Sequence, residues 1–312
     1  MTRILALSGG IGGAKLALGL QHVLAPGELT VVANVGDDFE HLGLSISPDT
    51  DTLLYTLAGI ENPTTGWGRR DETWTFMKVL RELGAPDWFQ LGDGDLALHV
   101  ERTRRLRAGE TLSAITADVA ARLGLATRIL PASDDPVRTR VRTEEGWLDF
   151  QDWFVGRRCA PLVQALDFVG IGAARPLPAV LEALANPALE AVVICPSNPF
   201  ISVEPILGIP GLRDAIRAAR APVIAVSPII GGQAVKGPTA KMMAELGLEV
   251  DAAAVAARYA DLLDLFVLDE VDAALAPRLG LRSIAAPTWM RSLEDRIALA
   301  RTVLAAAEGL RP

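Results

Sequence analysis

Four glycines directly follow the first apolar segment of the chain: Gly9, Gly10, Gly12 and Gly13. A glycine-rich turn between a strand and a helix lets backbone N–H groups approach an anion, and the positive end of the helix attracts it. The spacing matches neither the dinucleotide fingerprint G-x-G-x-x-G nor the P-loop G-x-x-x-x-G-K-[ST]. The turn therefore predicts a phosphate or nucleotide site of another kind, and a ligand-free turn that serves close packing is the alternative.

Four aspartates are concentrated a short distance further on: Asp37, Asp38, Asp49 and Asp51. Hard divalent cations bind such carboxylate oxygens together with the phosphates of a substrate. The capping of turns and helices would explain each single aspartate equally well. We interpret the group as functional, and it predicts a Mg²⁺ site.

A second acid pair, Asp93 and Asp95, follows an apolar segment. The pair could supply a base or bind a substrate hydroxyl, and an ordinary Asp-Gly turn explains it almost as well. His99 lies close by in the sequence, but a single histidine without a partner is more often a structural hydrogen-bond donor.

Short polar side chains and open backbone recur later in the chain, at Ser197, Asn198, Ser227 and Gly231. They could surround a nucleotide or simply fill loops, and Lys236 could reach a diphosphate. Three tryptophans follow the first acid cluster. A flat heteroaromatic ligand would gain from stacking on Trp67, whereas core packing is the expectation for Trp74 and Trp88.

The apolar periodicity of the chain predicts the scaffold that brings these clusters together. Strand-like segments at residues 3–7, 29–34, 191–195, 222–227 and 265–269 alternate with helical segments. The polar clusters fall at or just after the ends of such strands, and the carboxyl ends of parallel strands meet at one edge of a sheet. We predict a three-layer, Rossmann-like α/β fold with a mainly parallel sheet and one crevice at its polar edge.

The alternation of strands and helices is interrupted in the middle of the chain. Residues 137–143 and 147–154 alternate and carry aromatic side chains, which favours a smaller mixed α/β insert rich in strands. The expected parts are residues 1–135, the insert 136–175 and the continuation of the α/β core at 176–312. The predicted helices are 13–23, 51–57, 72–83, 111–123, 178–185, 211–220 and 241–246, with a further strand at 127–131.

Composition excludes several classes of protein. The formal net charge of the 312 residues is −8, whereas general binding to nucleic acid needs a basic face. The two cysteines, Cys159 and Cys195, lack a metal-ligand spacing and indicate a reduced compartment. Because no apolar stretch reaches the roughly 20 residues of a membrane span and no signal peptide is visible, we expect a cytoplasmic protein without a membrane segment.

The chain resembles a known family in eight short motifs. They are LSGGIGGAK at 7–15, VGDD at 35–38, SPDTDTLLYTL at 47–57, GWG at 66–68, LPASDD at 130–135, FQDW at 150–153, PSNP at 196–199 and SPIIG at 227–231. Together they resemble the 2-phospho-lactate transferases, which act in the biosynthesis of the deazaflavin coenzyme F420. The motifs occur in the family's order and cover most of the chain.

The resemblance implies a magnesium-dependent transferase. Its donor would be a guanosine diphosphate (GDP)-linked three-carbon acid, and its acceptor would be the deazaflavin riboside Fo. The terminal ribityl hydroxyl of Fo would attack the phosphorus distal to guanosine, GMP would leave, and a phosphodiester would form. The transferred group would be phospho-lactyl, phosphoenolpyruvyl or phosphoglyceryl, and the sequence does not choose among them. A homodimer is expected from the resemblance alone.

The resemblance also implies roles for the residues singled out above. By the family's pattern Asp51 contacts Fo, and Ser197, Asn198 and residues 227–231 hold the guanosine nucleotide with the glycine-rich turn. Asp37 and Asp49 are our choice for the metal. The full set of predicted roles is: catalytic, Asp37, Asp49 and Asp51; Fo-binding, Asp51, Trp67 and Asp93; nucleotide-binding, Gly9, Gly10, Gly12, Gly13, Ser197, Asn198, Ser227 and Gly231.

One position departs from the family's pattern. The family commonly has arginine between the two acids of the second pair, and this chain has Gly94 there. Either Arg69, Arg70 or another cation substitutes, or this member uses a different donor or acceptor.

Two other functions compete with the transferase. A non-enzymatic nucleotide-sugar-binding regulator of the gluconeogenesis-factor type has a similar glycine-rich opening, but the SPDTDT run and the GWG motif favour the transferase. A Rossmann dehydrogenase is disfavoured by the glycine spacing and by Asn34, which stands near the place of the ribose-binding acid.

Overall fold

The computed structural model describes residues 3–310, in which strands and helices alternate through most of the chain. The strands are β1 (Ile4–Ser8), β2 (Leu29–Ala33), β3 (Phe39–His41), β4 (Leu44–Ile46), β5 (Arg128–Pro131), β6 (Arg138–Thr143), β7 (Gly146–Asp149), β8 (Ala165–Val169), β9 (Ala191–Ile194), β10 (Val223–Val226), β11 (Ile229–Ile230), β12 (Gln233–Ala234), β13 (Leu265–Leu268) and β14 (Ser283–Ala285). The helices are α1 (Gly10–Val23), α2 (Pro48–Leu57), α3 (Thr75–Glu82), α4 (Asp93–Arg107), α5 (Leu112–Arg122), α6 (Pro178–Ala185), α7 (Glu204–Leu207), α8 (Leu212–Ala218), α9 (Thr239–Glu245), α10 (Ala252–Ala257) and α11 (Leu293–Glu308).

A seven-stranded sheet forms the centre of the molecule, in the order β14-β13-β10-β9-β1-β2-β5. Every neighbouring pair in this sheet is parallel. Strands such as β9 and β10 are apolar and buried along their whole length, as expected for strands covered on both faces. The predicted three-layer, Rossmann-like α/β fold is confirmed.

Two apolar cores lie on opposite faces of this sheet, because successive side chains of a strand point to opposite sides. On β1, Leu5 and Leu7 pack into one core, which includes α6, α8 and the β-rich segment. Ile4 and Ala6 pack into the other core, beneath α1, α2 and α11. The sheet is thereby fixed between two helical layers, and its carboxyl edge is left to carry polar residues.

The segment in the middle of the chain forms a separate antiparallel sheet of three strands, in the order β7-β6-β8. The strand predicted at 147–154 ends at Asp149, and a short helical turn, Asp152–Gly156, follows it. The insert therefore has the mixed α/β character that was predicted. The division of the chain into domains stays a prediction.

The structure differs from the sequence analysis at three places. Helix α1 begins at Gly10, three residues before the predicted start, because Asp49 accepts a hydrogen bond from the Gly10 N–H and holds the glycines in the first turn. Helix α4 occupies the place of the alternative Asp-Gly turn, and α11 was not predicted.

Among residues 3–310, no helix is both long and apolar enough to cross a membrane.

Candidate active site

The polar clusters converge on one cavity of about 580 Å³ at the carboxyl edge of the sheet. Most of the predicted site residues line it: Gly9, Gly10, Gly12, Asp37, Asp49, Asp51, Trp67, Ser197, Asn198 and Ser227. The cavity joins the ends of β1, β2, β9 and β10, which are neighbours in the sheet. The sequence-based expectation of a single crevice agrees with this arrangement.

Backbone and short side chains form the part of the cavity near α1, which we call the nucleotide half (residues 9–12, 196–198 and 227–230). Gly9 donates its N–H to Ser197 Oγ at 3.1 Å. A side chain at Gly12 would place its Cβ 2.3 Å from the carbonyl oxygen of Pro196, so the close packing weighed as an alternative for these glycines does occur. At Gly10, where φ is +63°, the nearest atom to a Cβ would be 3.9 Å away. The open space at Gly10 faces the cavity.

Two predicted nucleotide-binding glycines lie outside the cavity lining. A Cβ at Gly13 would meet Ser8 Oγ and Ser197 Oγ, so this position serves packing between α1 and the loops. Gly231 has a positive φ of 55° and donates its N–H to Asp272 Oδ2 at 2.9 Å. The fold thus uses both glycines to shape the backbone next to the cavity.

Two buried carboxylates, Asp37 and Asp49, stand between the nucleotide half and the rest of the cavity. Asp49 accepts hydrogen bonds from Gly10 N at 2.7 Å and from Asn34 Nδ2 at 2.9 Å. Burial raises the pKa of Asp49 to about 6. Burial, and next the charge of Asp49, also raise the pKa of Asp37 well above its ordinary range.

The structure fits a divalent cation at this pair. Asp37 Oδ1 is buried and has no hydrogen-bond partner within residues 3–310, an arrangement that costs free energy unless a ligand completes it. Asp37 and Asp49 both line the cavity. Two carboxylates that repel each other beside a space for phosphates are the donor set that Mg²⁺ prefers. Asp38 Oδ1 likewise lacks a partner among the described residues, but Asp38 Oδ2 accepts a hydrogen bond from Ser47 Oγ at 3.0 Å and Asp38 does not line the cavity.

An ionic network from α2 and α4 forms the other part of the cavity, the acceptor half (Asp51, Tyr55, Asp95 and His99, with Phe89 and Phe150). Both oxygens of Asp51 are bound by the guanidinium of Arg102, which is 1% exposed. Tyr55 donates its hydroxyl to Asp95 Oδ1 at 2.5 Å. His99 Nε2 lies 3.4 Å from the same oxygen.

Ligand atoms of Asp51, Asp95 and His99 lie within 4.8 Å of one another, close enough to share a metal ion. The bound guanidinium of Arg102 already neutralises Asp51 and would repel a cation there. We therefore interpret this half as a hydrogen-bonding surface and not as a metal site.

The structure does not bring Asp93 to the cavity. Its carboxylate accepts hydrogen bonds from Thr73 Oγ1 at 2.6 Å, Thr75 N at 3.1 Å and Phe76 N at 3.0 Å. These bonds cap the start of α3, so the carboxylate is occupied away from the cavity lining.

The prediction that Trp74 and Trp88 pack in the core was wrong, since their side chains are 44% and 37% exposed.

Cations of the cavity were partly missed by sequence reasoning. Lys15 lines the cavity and donates its Nζ to the Met290 carbonyl at 2.9 Å. Burial, and next the charges of Arg296 and Lys236, lower the pKa of Lys15. Lys236 also lines the cavity and donates to Thr65 O at 2.8 Å, which ties the loop of Trp67 to the cavity mouth. The clustered positive charge favours an anion in the nucleotide half.

The network of the acceptor half was also missed, although a signal existed. Asp95, His99 and Arg102 are four and three residues apart, and a helix places such residues on one face. Only the assignment of α4 as a helix would have revealed this face. Gly94 lies in the first turn of α4 and donates its N–H to Glu72 Oε2 at 2.7 Å.

Comparisons with known proteins show which family the chain belongs to. The family profile described as 2-phospho-L-lactate transferase CofD matches residues 4–279. The chain belongs to this family. A phosphoenolpyruvate transferase of Kitasatospora aureofaciens is 43% identical to the chain over 99% of both proteins. A 2-phospho-L-lactate transferase of Methanosarcina mazei is 40% identical over 97% of this chain and 100% of that protein.

A solved structure supports the fold of this CofD-family chain. The crystal structure of a member of the UPF0052 family from Bacillus halodurans superposes with a TM-score of 0.64. It covers 97% of this chain and 98% of that chain at 16% sequence identity. At this identity the likeness concerns the fold alone.

Proposed function

We propose that this protein transfers a phospho-lactyl or phosphoenolpyruvyl group from a GDP-linked donor to the ribityl hydroxyl of Fo, with Mg²⁺ as cofactor. The phosphoglyceryl group is a third possible cargo. The observation that carries the proposal is the continuity of one cavity from the start of α1, past Asp37 and Asp49, to the network around Asp51. Family membership and the names of the relatives support a transferase over a non-enzymatic regulator.

In the proposed complex, the nucleotide half holds the GDP portion of the donor. The Ser197 hydroxyl can donate a hydrogen bond, the N-terminal end of α1 favours an anion, and Lys15 and Lys236 supply positive charge for the diphosphate. Asp37 and Asp49 would hold Mg²⁺, which neutralises charge on the diphosphate when it is bound.

The acceptor half positions Fo. The carboxylates of Asp51 and Asp95 are fixed by Arg102 and Tyr55 and accept hydrogen bonds from the ribityl hydroxyls. Trp67 and the rings of Phe89 and Phe150 line the cavity and suit a flat heteroaromatic ring. Arg69 lies 5.8 Å from the ring centroid of Tyr55, so a cation stands beside this half despite Gly94.

The chemical step forms one phosphorus–oxygen bond and breaks another. The hydroxyl oxygen of Fo attacks the phosphorus distal to guanosine and releases its proton to solvent, the bond to the bridging oxygen breaks, and GMP leaves with the electron pair. Phosphoryl transfer gives the protein little covalent chemistry to perform, so positioning and charge stabilisation supply the rate. The fixed carboxylates and the enclosed cavity provide that positioning.

A mass-spectrometric assay tests the proposal. The protein is incubated with Fo, Mg²⁺ and the lactyl, enolpyruvyl and glyceryl GDP-linked donors in competition. We expect one phosphodiester product with equimolar GMP. Tight nucleotide binding without product from any donor would overturn the transferase and favour the regulator. The homodimer stays a prediction, which light scattering of the same sample checks.

A further inference from the structure

The segment between β14 and α11 places an exposed aromatic side chain at the cavity. Trp289 lines the cavity and is 53% exposed. It lies beyond residue 279, where the match to the family profile ends. The neighbouring residues Thr288 and Met290 are 4% and 5% exposed, so Trp289 alone of the three projects from the core.

Hydrogen bonds fix the backbone on both sides of Trp289. Thr288 donates both its N–H and its hydroxyl to Asp269 Oδ2, each at 2.8 Å. On the other side, Lys15 Nζ donates to the carbonyl of Met290 at 2.9 Å. The guanidinium of Arg291 lies 5.2 Å from the centroid of the indole. The backbone that carries this half-exposed ring is therefore fixed, which lowers the entropy cost of a contact between the ring and a ligand.

The order of the strands gives the position of Trp289 along the cavity. The sheet runs β14-β13-β10-β9-β1-β2, and Trp289 follows β14 at one end of this series. Ser227 follows β10, the glycines follow β1, and Asp37 follows β2. A ligand lying along this edge meets an aromatic ring first, then hydroxyls and Lys15, and then the buried carboxylates. A nucleoside diphosphate bound to a metal has its groups in the same order.

We propose that Trp289 is the stacking platform for the nucleobase of the GDP-linked donor. This inference rests on the proposed function, since it assumes a nucleotide in the nucleotide half. Stacking on an aromatic ring tolerates every base because each base has a π-face. Trp289 therefore supplies affinity for the nucleotide and leaves the choice of guanine to other groups.

The experiment measures binding to the full-length protein by calorimetry in the presence of Mg²⁺. GDP, ADP, inorganic pyrophosphate and Fo are the probes, and Trp289→Ala is compared with Trp289→Phe. Trp147→Ala is the matched control, because Trp147 is 41% exposed with the guanidinium of Arg140 at 5.9 Å, outside the cavity lining.

We expect Trp289→Ala to weaken GDP and ADP binding by the same factor, about ten- to a hundredfold. Binding of pyrophosphate and Fo should stay unchanged, since neither probe carries a base that reaches the platform. Trp289→Phe should recover most of the GDP affinity, and Trp147→Ala should behave as wild type. A merely structural role of Trp289 would weaken pyrophosphate binding as well.

Two outcomes overturn the inference, and a third contradicts the proposed function on which it rests. Unchanged GDP affinity in Trp289→Ala shows that the base lies elsewhere. Loss of Fo binding with GDP binding retained shows that the indole stacks on the deazaflavin instead. If the wild-type protein binds no GDP while Fo still binds, the GDP-linked donor itself is wrong, and the inference falls with it.

Discussion

The two halves of the cavity are built in different ways. The nucleotide half consists of backbone N–H groups, glycines and short hydroxyl side chains at the ends of β1, β9 and β10. The acceptor half consists of a buried ionic network, in which Arg102 of α4 holds Asp51 of α2. The first half follows from the central sheet, and the second depends on two helices that meet outside it.

This difference in construction predicts which substitutions each half tolerates. A backbone-lined site tolerates changes of side chain but not the addition of one at a glycine that touches another loop. A buried ionic network fails when one partner is removed, because the remaining charge is left without compensation. Three substitutions and two pH titrations test these behaviours.

The largest effect is expected at the boundary between the halves. Asp37→Asn should lower turnover roughly a thousandfold, because it removes one of the two carboxylate charges that would hold Mg²⁺ against the diphosphate. The matched control Asp38→Asn removes the adjacent buried acid, which is hydrogen-bonded to Ser47, and should retain most of the activity. Steady-state kinetics with a magnesium titration gives the comparison. Near-normal turnover of Asp37→Asn with magnesium present would refute the metal assignment.

The second-largest effect is expected in the acceptor half, where a substitution should lower the free energy of unfolding. Arg102→Leu leaves the Asp51 carboxylate buried without its partner, and we expect a loss of about 3–5 kcal/mol in the free energy of unfolding. Arg104→Leu on the same helix removes an exposed pair with Glu101 and should cost about 1 kcal/mol or less. Urea denaturation measures both variants. Equal losses would show that the network contributes no more than a surface ion pair.

A substitution in the nucleotide half should lower the free energy of unfolding by less. Gly12→Ala brings a Cβ to within 2.3 Å of the Pro196 carbonyl, and forcing α1 away from the loop of Pro196 should cost about 1–3 kcal/mol. GDP binding should weaken more than Fo binding. Gly172→Ala is the control, since a Cβ at that position meets nothing within 4 Å. The comparison between the halves would fail if Gly12→Ala weakened Fo binding and left GDP binding intact.

The smallest effect is a dependence of metal binding on pH. Because the pKa of Asp49 is raised to about 6, Mg²⁺ must displace a proton below that pH, and its affinity should rise up to about tenfold per pH unit towards neutrality for each proton released. Calorimetry in buffers of different ionisation enthalpy counts the protons. An affinity that stays constant from pH 5 to pH 7 would contradict the raised pKa.

The metal-free protein should show the opposite dependence in its stability. A carboxyl group whose pKa rises from 3.8 to about 6 on folding binds more protons in the folded state than in the unfolded state. The free energy of unfolding therefore falls as pH rises through this window. Thermal unfolding without Mg²⁺ across the same range provides the check, and Mg²⁺ should remove the loss at neutral pH.

Much of the fold and about half of the site were open to prediction from the sequence. Apolar runs such as 191–195 and 222–227 favour strands buried on both faces, and the glycines and aspartates stand in short contiguous motifs after the segments 3–7 and 29–34. The partners of the acceptor half could not be predicted in the same way. Asp51 and Arg102 are separated by 51 residues, and no local pattern links them.

The sequence by itself determined the parallel α/β architecture, the glycine-rich end of α1 and the acids that follow β2, because local periodicity and turn chemistry act over a few residues. Tertiary structure alone decided that Asp93 caps α3, that Arg102 binds Asp51 and that Trp289 reaches the cavity. These outcomes depend on which distant segments pack together, and the packing of the whole core, not a local sequence pattern, determines that.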